Sequence, residues 1–176
     1  MRQNVRTSAL RPELTIEELL KFSPLLQKEF SIKTKTITMI DSTNIQPHHW
    51  MEIAKAIAHD YQHYDGFVVL HGTDTMAYSA TAAAFVLGKD LPIPVVFTGS
   101  QLPLVHFGTD ARFNLENAMK TILEAHARGV AEVMIVFNKR VLRGARAIKV
   151  EDVDFLAFNS PSLPPLATIS AVGMSF

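Results

Sequence analysis

A threonine followed at once by an aspartate, with a lysine far along the chain, is the set of side chains here best suited to chemistry. Thr73 and Asp74 lie in the run LHGTDTMAY, residues 70–78, where the β-forming Phe67, Val68, Val69 and Leu70 pass without a spacer into small polar groups. A threonine hydroxyl is a poor nucleophile until a base takes its proton. A lysine can be that base when its surroundings favour the neutral amine. An adjacent carboxylate can orient the lysine or grip a substrate ammonium. Lys149 is the candidate base, and only a fold can bring it to Thr73.

Similar side chains gather at other junctions. Asp41-Ser42-Thr43-Asn44, His71-Gly72-Thr73-Asp74 and Thr98-Gly99-Ser100-Gln101 each set hydroxyls beside glycine, acid or amide groups, and a fourth segment runs from Asn138 towards Lys149. Such groups suit a small polar molecule. The competing reading is helix capping, in which Ser42, Thr43, Asp74 and Thr98 satisfy the free N–H groups at helix starts. Capping explains any one loop, but not the convergence of several on one edge.

Positioning these loops requires alternating strands and helices. Ile32–Ile40 is rich in β-branched residues and predicts a strand near a sheet edge. Pro47 then opens an amphipathic helix on which Trp50, Ile53, Ala54, Ile57, Tyr61 and Tyr64 recur at helical spacing. A short buried strand, 66–70, precedes an Ala-rich helix over 75–87 that closes at Gly88. A strand over 95–97, a helix from about Ala111 to Arg128 with Leu115, Ala118, Met119, Ile122 and Leu123 on one stripe, and a strand over 133–137 complete the pattern. Continuous apolar strands between helices predict an α/β fold, an open, mostly parallel sheet with helices on both faces. Such sheets bind ligands at the carboxyl ends of their strands, where the four loops would lie.

Composition removes several classes. Lysine plus arginine and aspartate plus glutamate each number 17, so no global charge draws the chain to nucleic acid or acidic lipid. There is no cysteine, which excludes disulfides, thiolate nucleophiles and cysteine-based zinc sites and fits a reducing compartment. MRQNVRTSAL lacks the apolar centre of a signal peptide, and no run is long enough to span a bilayer, so the expected location is the cytoplasm. HDYQH, residues 59–63, has the spacing of a zinc-binding helix, yet its face lies opposite the Trp50/Ile57/Tyr61 stripe and reads as a solvated polar side. The basic run 139–149 is followed directly by Glu151, Asp152 and Asp154, which favours a solvated hairpin with one functional lysine over a nucleic-acid contact. No dinucleotide, Walker or nucleophile-elbow motif occurs.

HGTDTMAYSA (71–80), DSTNIQPHHW (41–50), VVFTGSQLPL (95–104) and RGARAIKVEDVDFLAFNSP (143–161) together resemble the bacterial-type L-asparaginase family, in order and at its usual spacing, most closely its cytoplasmic type I branch. The resemblance implies a Rossmann-like N-terminal domain and hydrolysis of L-asparagine to L-aspartate and ammonia, without metal or organic cofactor. It implies that Ser42, flanked by Asp41 and Thr43, holds the substrate α-carboxylate, that Asp74 binds the α-ammonium, and that Thr73 and Lys149 form the hydroxyl and base pair. Ser100 would meet the carboxamide through its backbone. A homodimer or homotetramer is expected for the full-length family, with no nucleic-acid or membrane partner.

The family pattern also opens with an apolar strand ending in T-G-G-T-I-G, whose second threonine is taken as the acylated nucleophile, and closes with a smaller C-terminal domain. Neither segment is found in this sequence. Thr7 is a hydroxyl near the position concerned but lacks the flanking strand and glycines. The expectation is an N-terminal domain over 1–160 without its first strand, the start of an interdomain linker over 161–176, and an incomplete copy with little activity alone. Two alternatives stand beside it: a non-catalytic module that retains the amino-acid crevice, and the related amidase subunit that processes misacylated tRNA.

Overall fold

The computed structural model describes residues 2–3, 10–11 and 16–176. Two short strands, β1 (Arg2–Gln3) and β2 (Leu10–Arg11), pair antiparallel and precede two short helices, α1 (Ile16–Lys21) and α2 (Pro24–Glu29). The main body begins with α3 (Pro47–Asp60), started by Pro47 and by a hydrogen bond of 2.9 Å from the Gln46 N–H to His49 Nδ1. β3 (Phe67–Leu70), α4 (Met76–Leu87), β4 (Val95–Thr98), α5 (Ala111–Ala127) and β5 (Val133–Phe137) follow in the alternation that the apolar pattern predicts. β6 (Arg140–Arg143), β7 (Ile148–Lys149), β8 (Phe158–Asn159), β9 (Ala167–Ser170) and β10 (Gly173–Ser175) complete the chain.

The main sheet has the order β10-β9-β6-β5-β4-β3. β3, β4 and β5 are mutually parallel, while β6, β9 and β10 extend the sheet antiparallel. β7 and β8 form a separate antiparallel pair that places Lys149 opposite Phe158. Every residue of β4 and β5 is buried, because both faces are covered. Ile53 and Ile57 of α3 and Met76, Ala77 and Ala80 of α4 pack with Val95, Phe97 and Ile135 on one face. Ala118, Ile122 and Ala125 of α5 pack with Val96, Met134 and Val136 on the other. Truncating a residue such as Phe97, which has 0% exposure, would cost about 3–5 kcal/mol.

Several local expectations are corrected. Ile32–Ile40 forms no strand. Among the described residues no strand lies on the outer edge of β3, so this β-branched run has no ladder to join, although Ile37 still packs against the core. β3 is half-buried rather than buried, because it is the edge strand. α5 is turned relative to its apolar stripe: Asn114 and Thr121 are buried and Leu123 is exposed. The basic run 139–149 is not a solvated hairpin, since Val141 and Leu142 of β6 are wholly buried in the sheet. Residues 161–176, where the sequence predicts the start of a linker, include the β9–β10 hairpin at the sheet edge.

Candidate active site

The parallel strands β3 and β4 end side by side, and their last link is the His71 N–H donating to the Thr98 carbonyl at 2.9 Å. Past that link the chain must turn within a tight space. A Cβ at Gly99 would collide with the His71 carbonyl, and one at Gly72 would stand 2.7 Å from Ser42 Oγ. Glycine at both positions therefore lets three loops close on one another. Ser42 is buried against this junction, and its carbonyl accepts the Thr75 hydroxyl at 2.7 Å.

Lys149 reaches the same place from β7. Its Nζ donates to Thr73 Oγ1 at 3.1 Å and to Asp74 Oδ1 at 2.6 Å, and lies 3.3 Å from Asp152 Oδ1. The lysine side chain is only 12% exposed, against 52% for Asp74 and 91% for Asp152. Water screens both carboxylates, so these pairs fix geometry more than they stabilise the fold. Thr73 in turn donates its hydroxyl proton to Gln101 Oε1 at 3.1 Å. The hydroxyl oxygen thus takes a proton donor from lysine and offers its own proton to an amide. Before Lys149 could act as its base, the Thr73–Lys149 hydrogen bond would have to reverse.

The remaining candidates divide. Asp41 accepts from Thr43 N at 2.9 Å and from Thr43 Oγ1 at 2.8 Å, so capping describes these two residues. Thr98 donates to the Val136 carbonyl at 2.7 Å and serves the sheet. Asp74 does not cap α4, whose first residue follows Thr75 without a side-chain cap bond. Ser100 is half-buried in the loop between Gly99 and Gln101. Thr7 lies outside the described residues. His59 and His63 are exposed, with His59 Nδ1 2.8 Å from Asp60 Oδ1, and that hydrogen bond holds the Asp60 carboxyl below its usual range. Among the described residues no group of three or more His, Asp or Glu is arranged to hold a metal, and no helix is long and apolar enough to cross a membrane.

Sequence reasoning gave no role to four supporting groups. Gln101 bonds Thr73; Asp110 accepts from the Gln101 and Leu102 N–H groups at 3.0–3.1 Å; Asn114 donates to the Gly99 carbonyl at 2.9 Å; and Asp152 flanks Lys149. His71 is the fifth. Its Nδ1 donates to the Gly72 carbonyl at 2.6 Å, its Nε2 is buried without a partner, and burial pushes its pKa below the ordinary 6.5.

The fold and this cluster define an α/β protein in which the loop after β3 and the strand β7 bring a threonine hydroxyl, a carboxylate and a lysine together. The family model described as "Asparaginase, N-terminal" matches residues 1–176, and the chain belongs to that family. L-asparaginase 1 of Escherichia coli (strain K12) is 42% identical over 161 residues, covering 92% of this chain and 44% of the relative. A solved structure of a probable cytoplasmic L-asparaginase from Campylobacter jejuni superposes with a TM-score of 0.85 at 30% identity, covering 93% of this chain and 51% of that one. A glutamyl-tRNA(Gln) amidotransferase subunit of Aeropyrum pernix is 36% identical over 176 aligned positions, 96% of this chain and 40% of the relative. The chain thus spans about half the length of the relatives it matches.

Proposed function

We propose that this chain is the N-terminal catalytic unit of an amidohydrolase that converts L-asparagine and water to L-aspartate and ammonia. The observation that supports it is the Lys149 Nζ contact, 3.1 Å from Thr73 Oγ1 and 2.6 Å from Asp74 Oδ1, beyond the end of β3 in an asparaginase-family sheet. In this reading Asp74 binds the substrate ammonium, and Ser42, with the backbone held by Asp41 and Thr43, receives the α-carboxylate. Thr73 and Lys149 act as a hydroxyl and base pair. The Thr73 region supports the oxyanion, and the backbone at Ser100 meets the carboxamide. A hydroxyl adds to the amide carbon, ammonia leaves with a proton, and water releases aspartate. The whole protein, of whose relatives this chain spans about half, is read as cytoplasmic and, at full length, as a homodimer or homotetramer.

The test is ammonia release from L-asparagine by this chain beside a form extended upstream through whatever its gene encodes, together with L-aspartate titration. We expect saturable aspartate binding, weakened at least about tenfold by Asp74→Ala, and turnover that Thr73→Val or Lys149→Met lowers by about 10²–10⁴. Turnover indifferent to both of those substitutions would sink the assignment. Binding without ammonia release in either form would leave a non-catalytic amino-acid-binding remnant. Likeness to the amidotransferase favours a second reading, in which turnover requires a partner protein and misacylated tRNA.

A further inference from the structure

We propose that Gln101 is a positioning residue that aims the Thr73 hydroxyl and ties it to the 150–156 loop. Its kinetic consequence rests on the amidohydrolase reading; its structural consequence does not. Gln101 Oε1 accepts the Thr73 hydroxyl at 3.1 Å, while Nε2 donates to the carbonyls of Asp152 at 2.9 Å and Asp154 at 3.1 Å. Both amide hydrogens are used, and a flipped amide would set Oε1 against two carbonyl oxygens. The amide orientation is therefore fixed by its partners.

The other end of Gln101 is anchored from below. Its N–H sits on the Asp110 carboxylate at 3.0 and 3.1 Å, and Asp110 also accepts from Asn114 Nδ2 at 2.9 Å. Asn114, which has 0% exposure, donates as well to the Gly99 carbonyl and accepts the Asn138 N–H, each at 2.9 Å. With its backbone fixed by α5, Gln101 carries loop position to Thr73 through a single side chain. If the loop lifts, both Nε2 bonds are lost and the amide can rotate. The Thr73 side chain then loses the contact that fixes its oxygen beside Lys149. Asp152 adds a second tie through Lys149, so both loop contacts end on the same hydroxyl.

The test compares the wild-type chain with Gln101→Met, which matches the length without polar atoms, Gln101→Glu, which keeps an acceptor for Thr73 but has no donor for the loop, and Thr73→Val. Hydrogen exchange at residues 152–156 should rise at least about tenfold in both Gln101 variants and at least about threefold in Thr73→Val, because coupling between two sites is reciprocal. In the form that turns over asparagine, Gln101→Met should lower kcat at least about tenfold with KM within about threefold, and Gln101→Glu should fall between it and wild type. Thermal unfolding identifies a variant that has lost its fold, and the other Gln101 variant then decides. Loop exchange unchanged by the Gln101 variants, or by Thr73→Val, would overturn the proposal. So would raised exchange with unchanged kcat, which would make Gln101 a loop staple only. If wild type releases no ammonia in any form, the amidohydrolase reading fails and exchange in Thr73→Val still decides this one.

Discussion

Protonating His71 costs more in the folded chain than in the open one. Its Nε2 is buried without a partner, and the charged ring would need a second acceptor there. Burial lowers the folded pKa below 6.5, so between the two values the unfolded state binds a proton that the native state does not. Stability is therefore complete above about pH 6.5 and is lost as pH falls towards the folded value, with a slope of up to about 1.4 kcal/mol per pH unit. Denaturant unfolding from pH 7.5 to 5.5 should show this slope, and His71→Gln should remove the part that belongs to His71. An unchanged slope in the variant would mean that other groups carry it. Among single residues, Thr73, Asp74 and Lys149 could be singled out by type as a hydroxyl, a carboxylate and a lysine, and the structure brings the three within hydrogen-bond distance. Gln101, Asp110 and Asn114 could not, because each acts through backbone groups that only the folded loops bring near.

Helix α5 shows how a site displaces a packing rule. Its apolar positions predict a stripe of Leu115, Ala118, Met119, Ile122 and Leu123; Ala118 and Ile122 are buried, and Asn114, Thr121 and Ala125 rather than Leu123 complete the buried face. Turning the helix leaves Leu123 49% exposed and sets Asn114 beneath the Gly99 carbonyl and the Asn138 N–H. Asn138 has a φ of 51°, a left-handed conformation that asparagine adopts more readily than most residues, and its N–H is held by that contact. Asn114→Ala leaves both backbone groups and one Asp110 contact without a partner, at a cost of about 1–3 kcal/mol for each buried group. The variant should unfold about 2–4 kcal/mol more easily and lose ordered spectral signatures around 99–102 and 138 before the rest. A cost under about 1 kcal/mol would show that water replaces Asn114. The strands β4 and β5 were legible from composition alone, being buried on both faces. Ile32–Ile40 was misread because β-branched residues report a fit to a sheet and carry no information on whether a neighbouring strand exists.

The whole sheet has two unlike ends. One edge is β10, the short second arm of an antiparallel hairpin, and the other is β3, a parallel strand, with no further strand beside either among the described residues. The Phe67 and His71 N–H groups both point to β4, donating to Pro94 and Thr98, and strand alternation therefore turns the Val68 and Leu70 N–H groups outwards. An open row of donors and acceptors on an apolar strand invites pairing with another chain. Hydrogen exchange should consequently alternate along β3 in dilute protein, with Val68 and Leu70 at least about tenfold faster than Val69. All of β3 should exchange faster than β4 and β5, whose residues are buried on both faces. Raising the concentration should slow Val68 and Leu70 selectively as molecules associate along this edge. Protection at both positions that is independent of concentration would mean that a strand of the same chain covers β3.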